Sequence, residues 1–145
     1  SATLHGAFGH QIMKSYRSFV DYPRQNYTSR IFGRWHGPGS SNRIPRLTTG
    51  TSPNWQFVSD LYMENADYIR LKNVTLGYDF KQLFKHIPLQ QLRLYFTLEN
   101  PFTITGYSGM DPEVGYGGYE TWVSGVDVGS YPTPRTVIVG VNVKF

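Results

Sequence analysis

Hydrophobic and polar residues alternate with period two over four stretches of the chain, and each such stretch predicts a β-strand with one apolar face. The clearest lies at the C-terminus, where Val137, Val139, Val141, Val143 and Phe145 alternate with Thr136, Ile138, Gly140, Asn142 and Lys144. Upstream, Leu92, Leu94, Phe96 and Leu98 alternate with Arg93, Tyr95, Thr97 and Glu99, and Val74, Leu76, Tyr78 and Phe80 alternate with Asn73, Thr75, Gly77 and Asp79. A weaker run opens the chain, with Leu4, Phe8 and Ile12 on one parity. Around Ile69 and Leu71 the apolar parity is reversed, which predicts a bulge or a change of surroundings. The expected strands therefore lie near 2–13, 68–80, 91–102 and 135–145.

Their length matters, because a tilted strand crosses a bilayer in about 9–11 residues. The connections are very unequal. Residues 81–90 make a short link, with one helical turn over 82–86 stopped by Pro88, whereas 14–67 and 103–134 are long and rich in Gly, Pro, Tyr and Trp. Long structureless loops are uncommon in compact domains, but alternating long and short connections are the layout of a transmembrane β-barrel. Four strands fall short of the roughly eight in the smallest bacterial barrels. A lone four-stranded sheet with an apolar face and two edges invites aggregation. The pattern therefore predicts a C-terminal piece of a larger barrel, in preference to several copies closing one together.

Composition sharpens this. Charged residues make up 17% of the chain, below the usual value of about 25%, and aromatics 16%, with 11 Tyr, 9 Phe and 3 Trp. With no Cys, disulfide staples and Cys-ligated metal sites are excluded. No run approaches the roughly 18 apolar residues of a transmembrane helix, and no signal peptide stands in the chain. The net charge of +4 comes with Arg17, Arg24, Arg30, Arg34, Arg43 and Arg46 dispersed through a loop, so it predicts no nucleic-acid track.

No catalytic constellation, cofactor motif or metal site is predicted. His5, His10, His36 and His86 are scattered, Asp60, Glu64 and Asp67 read as a solvated loop surface, and Asp111 with Glu113 as a loop turn. Gly115–Gly118 lacks the strand and helix of a phosphate loop. Tyr78, Phe80, Phe96, Phe102 and Phe145, near strand ends, read as an interfacial girdle. The candidate contacts to a substrate or to a covering partner are the loop residues Trp35, His36, Trp55, Tyr107, Tyr116, Tyr119 and Trp122, whose flat rings suit stacking on sugars or packing a peptide. The plainer reading of these aromatics is packing within the loops.

Several blocks, in order, carry a resemblance. Residues 68–78, YIRLKNVTLGY, resemble the "YLRLKNVTLGY" block of SusC/RagA-type TonB-dependent outer-membrane transporters. Leu92-Arg93-Leu94-Tyr95 with Glu99-Asn100-Pro101-Phe102 is similar to that family's "LRxY…QNLFT" strand, with Pro101 in place of the usual Leu. Asp111-Pro112-Glu113-Val114-Gly115 resembles its "GxDPEVG" loop, and 131–136 with 140–145 resemble "YPxPRT…GVNVKF". Trp35 and Ile44-Pro45-Arg46 stand where the family has "RW…IPR", although 34–51 matches only loosely.

The resemblance implies an all-β fold, the last four antiparallel strands of a barrel of about 22 strands with a plugged lumen. Two long extracellular loops near 14–67 and 103–134, a periplasmic turn near 81–90 and a periplasmic C-terminus follow, with the plug domain outside this chain. It implies a multi-pass protein of a Gram-negative outer membrane that imports glycans or oligopeptides. The implied partners are the rest of the barrel and plug, a SusD-like surface lipoprotein as lid and the TonB complex, with transporter–lipoprotein pairs forming a dimer. Val137, Val139, Val141, Val143 and Phe145 resemble the terminal signal read by the barrel assembly machinery, which would add this strand to its own sheet. The contrasting reading, a secreted aromatic-rich β-sandwich that binds carbohydrate, calls for about seven short strands with frequent turns.

Overall fold

The computed structural model describes residues 1–21, 26–48, 59–83, 88–114 and 124–145. They form two compact units, one of residues 1–8, 67–106 and 132–145, the other of 9–66 and 107–131.

The first unit is a four-stranded antiparallel sheet in the order β1 (Ala2–Ala7), β4 (Tyr68–Asp79), β5 (Gln91–Thr105), β7 (Thr136–Lys144). Directly opposed residues share a face, and the register lines up like with like. Val74, Leu98 and Val137 form one row, Leu76, Phe96 and Val139 the next, and Tyr78, Leu94 and Val141 a third. Between these lie polar rows: Asn73, Glu99 and Thr136, then Thr75, Thr97 and Ile138, then Gly77, Tyr95 and Gly140.

The reversal of parity near Leu71 is absorbed by a bulge. The register shifts between Leu71 and Asn73, so that Asn100 and Pro101 of β5 together oppose Lys72 of β4. Asn100 takes a left-handed conformation (φ 49°), and Pro101 has no N–H to give the ladder. Against β1 the extra residue lies in β4 instead: Lys72 falls between the Thr3–Asn73 and Leu4–Leu71 pairs. Beyond the bulge Leu71 still opposes Phe102 and Leu4, and Ile69 opposes Ile104. One face therefore stays apolar along the sheet despite the break in the sequence period.

That face carries most of the sheet's exposed large apolar side chains. Leu4, Leu76, Ile104, Val137 and Val139 are each more than 60% exposed, and Val143 is 45% exposed, while Tyr68, Arg70 and Thr97 on the polar face are nearly fully buried. On the polar face the Tyr68 hydroxyl meets His5 Nδ1 at 3.1 Å, Arg70 Nε donates to Thr103 Oγ1 at 2.8 Å, and Thr75 and Thr97 hydroxyls bond at 2.9 Å. At the short connection Asp79 accepts from Lys81 N (3.0 Å) and caps a 3-10 turn, Phe80–Gln82. Residues 84–87 of that link lie outside the described ones.

The second unit holds a small sheet in the order β3 (Met63–Asn65), β2 (Gln11–Lys14), β6 (Val126–Asp127), antiparallel on one side and parallel on the other. The single strand expected over 2–13 is therefore two strands in two sheets. The chain turns between them at Gly9, whose φ of 73° a side chain would resist. Among the described residues, a short helix α1 (Ser15–Val20) and two 3-10 turns, Ser29–Gly33 and Asp60–Tyr62, follow in the long segment after β2. Ile12, Ala66 and Tyr107 are the buried core of this unit, with Val114 packed on them. β5 runs on to Thr105, three residues past the expected end at 102, so the second long connection starts later than 103.

Candidate functional site

The second unit is held by charge. Lys14, at the end of β2, is 2% exposed and its Nζ donates to the Glu64 carboxylate and to Ser108 Oγ. Ser108 completes the triangle, donating from N to Glu64 Oε1 (2.7 Å) and from Oγ to Oε2 (3.0 Å). Burial pushes the Glu64 carboxyl up, but the hydrogen bonds from Lys14 and Ser108 and the Lys14 charge outweigh it and hold the group below its usual range. Lys14 Nζ also lies 5.0 Å from the centre of the Tyr107 ring, within the reach of a cation–π contact.

Tyr107 donates its hydroxyl to Asp127 Oδ2 at 2.7 Å, and Asp127 Oδ1 accepts from Gly129 N at 2.8 Å. Burial first, then the hydrogen bond to Asp127 and its charge, push the Tyr107 phenol far above its ordinary value. A second pair lies on α1 and beyond it. Arg17 holds Asp21 through Nε (3.1 Å) and a terminal nitrogen (2.8 Å) and reaches Thr28 Oγ1 at 2.8 Å. Burial, with the Asp21 charge second, pushes the nearby Tyr62 phenol up to about 12. Apart from Asp21 Oδ1, which is buried without a hydrogen-bond partner, these groups satisfy one another, and among the described residues none is arranged as a nucleophile with its base. Their work is mechanical: they tie chain positions far apart in sequence into one unit.

The open surface of the same unit is a self-stapled hairpin. Trp35 N donates to Ile44 O at 2.9 Å, closing residues 36–43 into a loop. Inside it, His36 N donates to Ser40 Oγ (2.9 Å), Ser40 Oγ donates to Gly37 O (2.6 Å), and Ser41 Oγ accepts from Ile44 N (3.2 Å). His36 Nδ1 lies 3.1 Å from Arg34 O. Gly39, at φ 81°, supplies the turn. Trp35, Ser41, Asn42, Arg43, Ile44, Pro45 and Arg46 line a shallow, largely open depression on this loop. Among the described residues, no cluster of His, Asp and Glu could hold a metal ion.

No protein-family model matches the chain. It is 32% identical over 132 residues to the TonB-dependent receptor SusC of Bacteroides thetaiotaomicron, covering 90% of this chain and 12% of that protein. It is 31% identical over 144 residues to the TonB-dependent receptor P39 of Formosa agariphila, covering 95% of this chain and 14% of that one. Its fold matches a chain of the RagAB peptide transporter with a TM-score of 0.72 at 25% identity, over 99% of this chain and 15% of the other. The RagAB peptide importer in its closed-closed state gives a TM-score of 0.73 at 23% identity, over the same shares.

The chain is homologous to one segment of the SusC/RagA-type TonB-dependent receptors. It spans about 12–15% of the length of the relatives it matches. This homology displaces the carbohydrate-binding sandwich, as do β4 and β5, at 12 and 15 residues, longer than a sandwich of short strands and frequent turns provides.

Within this SusC/RagA-type segment, the residues singled out from the sequence fall in different places. Trp35 and His36 lie together on the exposed hairpin. Tyr107 is 6% exposed and is packed inside its unit with its hydroxyl committed to Asp127, so it has no ring face to offer a ligand. Trp55, Tyr116, Tyr119 and Trp122 lie outside the described residues. Val137, Val139, Val141, Val143 and Phe145 are all exposed, from 45% to 83%, on the edge strand β7 and its end. Glu64, expected on a solvated loop surface, is instead bound by Lys14 and Ser108. Sequence reasoning missed Lys14 and Asp127 altogether. Their only signal was a charge next to apolar residues, Ile12-Met13 and Val126, which a short strand shares with any loop.

Proposed function

We propose that this segment forms the last four strands of the barrel of a SusC/RagA-type importer in a Gram-negative outer membrane. In this reading β1, β4, β5 and β7 cross the bilayer. The 81–90 link and the C-terminus are periplasmic, and the two long connections are extracellular. The parent barrel, of about 22 strands around a plug, draws nutrients inward with energy from the TonB complex, which engages a part of the receptor outside this chain. Its cargo is a glycan or an oligopeptide, and a SusD-like lipoprotein closes over the outer loops, the pairs assembling as a dimer. Trp35 and His36, with Trp55, Tyr116, Tyr119 and Trp122, contribute to the surface that meets substrate or lid. The alternating valines of β7 and terminal Phe145 serve the barrel assembly machinery as its recognition strand. No enzymatic role is proposed.

The observation that carries this reading is the open apolar face of the sheet, whose aliphatic and aromatic side chains stand exposed along β4, β5 and β7. In water, roughly ten aliphatic and aromatic side chains left about half exposed forgo on the order of 10 kcal/mol, as much as a typical domain's whole stability. Lipid removes that cost, because the hydrocarbon interior is as apolar as the side chains. The test is outer-membrane fractionation of the full receptor carrying this segment, with heat-modifiable gel mobility as the sign of a closed barrel. Detergent-dependent extraction with a mobility shift on boiling is expected. Recovery in plain buffer as a soluble species would overturn the reading.

A further inference from the structure

Resting on the importer reading above, we propose that the two long connections, residues 9–66 and 107–131, open as one cooperative body joined at Lys14, so that a lid or cargo gripping either one stiffens both. Neither connection carries a sheet that stands alone. The first supplies β2 and β3, of four and three residues, and the second only the two-residue β6, and pairings this short are marginal in water by themselves. β2 lies between the other two, with Met13 opposing Met63 on one side and Val126 on the other. Met13 N also donates across the second seam to Gly125 O at 2.8 Å.

The side chains repeat the division. Lys14 Nζ donates to Glu64 of the first connection and to Ser108 of the second and lies over the Tyr107 ring, while the Lys14 backbone opposes Asp127. In the core, Ile12 and Ala66 come from the first connection, and Tyr107 with Val114 from the second. If one connection opened alone, the other would lose the apolar surface it packs on and partners of its buried charges while its backbone stayed ordered. That half-open state keeps the entropy cost of order without the contacts that offset it, so the two open together. A ligand that holds one connection closed therefore lowers the ordering cost at the other without touching it.

The test is hydrogen exchange of the full detergent-solubilised receptor, read on peptides that report Ala66 and Gly129. Ala66 N donates to His10 O within the first connection, and Gly129 N to Asp127 Oδ1 within the second. Tyr107→Phe removes the hydroxyl that Asp127 holds, and Glu64→Ala removes the carboxylate that Lys14 and Ser108 hold. In one cooperative body each variant accelerates exchange at both amides by the same factor, expected between about five- and thirty-fold. Glu64→Gln, which keeps a hydrogen-bonding side chain, replaces Glu64→Ala if heat-modifiable mobility shows that the latter misassembles.

Clearly different factors at the two amides, including acceleration only at Gly129 in Tyr107→Phe or only at Ala66 in Glu64→Ala, would overturn this inference and leave the importer reading standing. No acceleration at either amide in correctly assembled variants would overturn it too. Failure of the unmodified receptor to fractionate with the outer membrane would instead sink that reading.

Discussion

The ring of Tyr95 lies across Gly140, its direct neighbour on β7. A Cβ on Gly140 would come within 2.5 Å of Tyr95 Cε1. On the other side Tyr95 opposes Gly77, where a Cβ would meet Tyr95 Cβ at 3.4 Å and the Arg93 guanidinium at 3.0 Å. A large ring between two glycines covers backbone that glycine leaves bare, the arrangement that rescues Gly in a sheet.

Gly140→Ala is therefore expected to swing the Tyr95 ring aside and cost about 1 kcal/mol. Tyr95→Ala should cost a similar amount by uncovering Gly140. The double variant should cost less than the sum, because the Cβ then meets no ring. Denaturant unfolding of the four proteins, read by loss of heat-modifiable mobility, measures the coupling.

Leu76→Arg puts a charge in the middle of an apolar row and is expected to destabilise the assembled barrel by about 2–4 kcal/mol. Asn142→Arg, on the polar parity of β7, should change stability by less than about 1 kcal/mol. Comparable losses from both would mean that the two faces do not see different media. Lipid-vesicle refolding titrations supply the comparison.

Lys14→Ala strips the Glu64 carboxylate of its cation, but Glu64 is a quarter exposed and keeps its two hydrogen bonds from Ser108, so the loss is expected to be about 1–2 kcal/mol, below that of a fully buried pair. Because the folded-state pKa of Glu64 is lowered, its contribution is fully present above its ordinary value of 4.5 and is lost as pH falls through the lowered one. Protection of the backbone amides around Lys14, Glu64 and Ser108 against hydrogen exchange should thus decline below about pH 4.5 in the unmodified protein. Glu64→Gln should flatten that decline.

Tyr107→Phe leaves the ring in the core and removes its hydrogen bond to buried Asp127. A bond to a charged group is worth about 1.5–3 kcal/mol, so increased protease sensitivity of the 107–131 segment is expected. Affinity for any cargo should be unchanged, since Tyr107 presents no open face. A variant that loses binding while keeping protease resistance would return Tyr107 to the ligand surface.

How much of this was legible in the sequence depends on element length. Period two is readable where a strand keeps one face in one medium for many residues, as β4, β5 and β7 do at 12, 15 and 9 residues. The parity slip near Leu71 was also visible, and its physical cause is the pairing of Lys72 against Asn100 and Pro101. The split of the opening run was not legible, because Gly9 preserves parity while its positive φ redirects the chain. Strands of 4, 3 and 2 residues are too short to carry a period, so the small sheet was invisible. Lys14 and Glu64 are 50 positions apart and Tyr107 and Asp127 are 20 apart, and nothing local couples such charges. For Trp35 the aromatic character was legible, whereas its closure against Ile44 is a backbone contact that no residue pattern announces.

The central claim is that the open face of the four-stranded sheet meets lipid. Spin labels placed singly at residues 137–144 of the reconstituted receptor, read for collision with oxygen dissolved in the bilayer and with a water-soluble nickel complex, test it residue by residue. The account predicts period-two accessibility, with oxygen dominant at Val137, Val139, Val141 and Val143 and weak at Ile138, Gly140 and Asn142. Uniform nickel accessibility along β7, with no alternation, would contradict it.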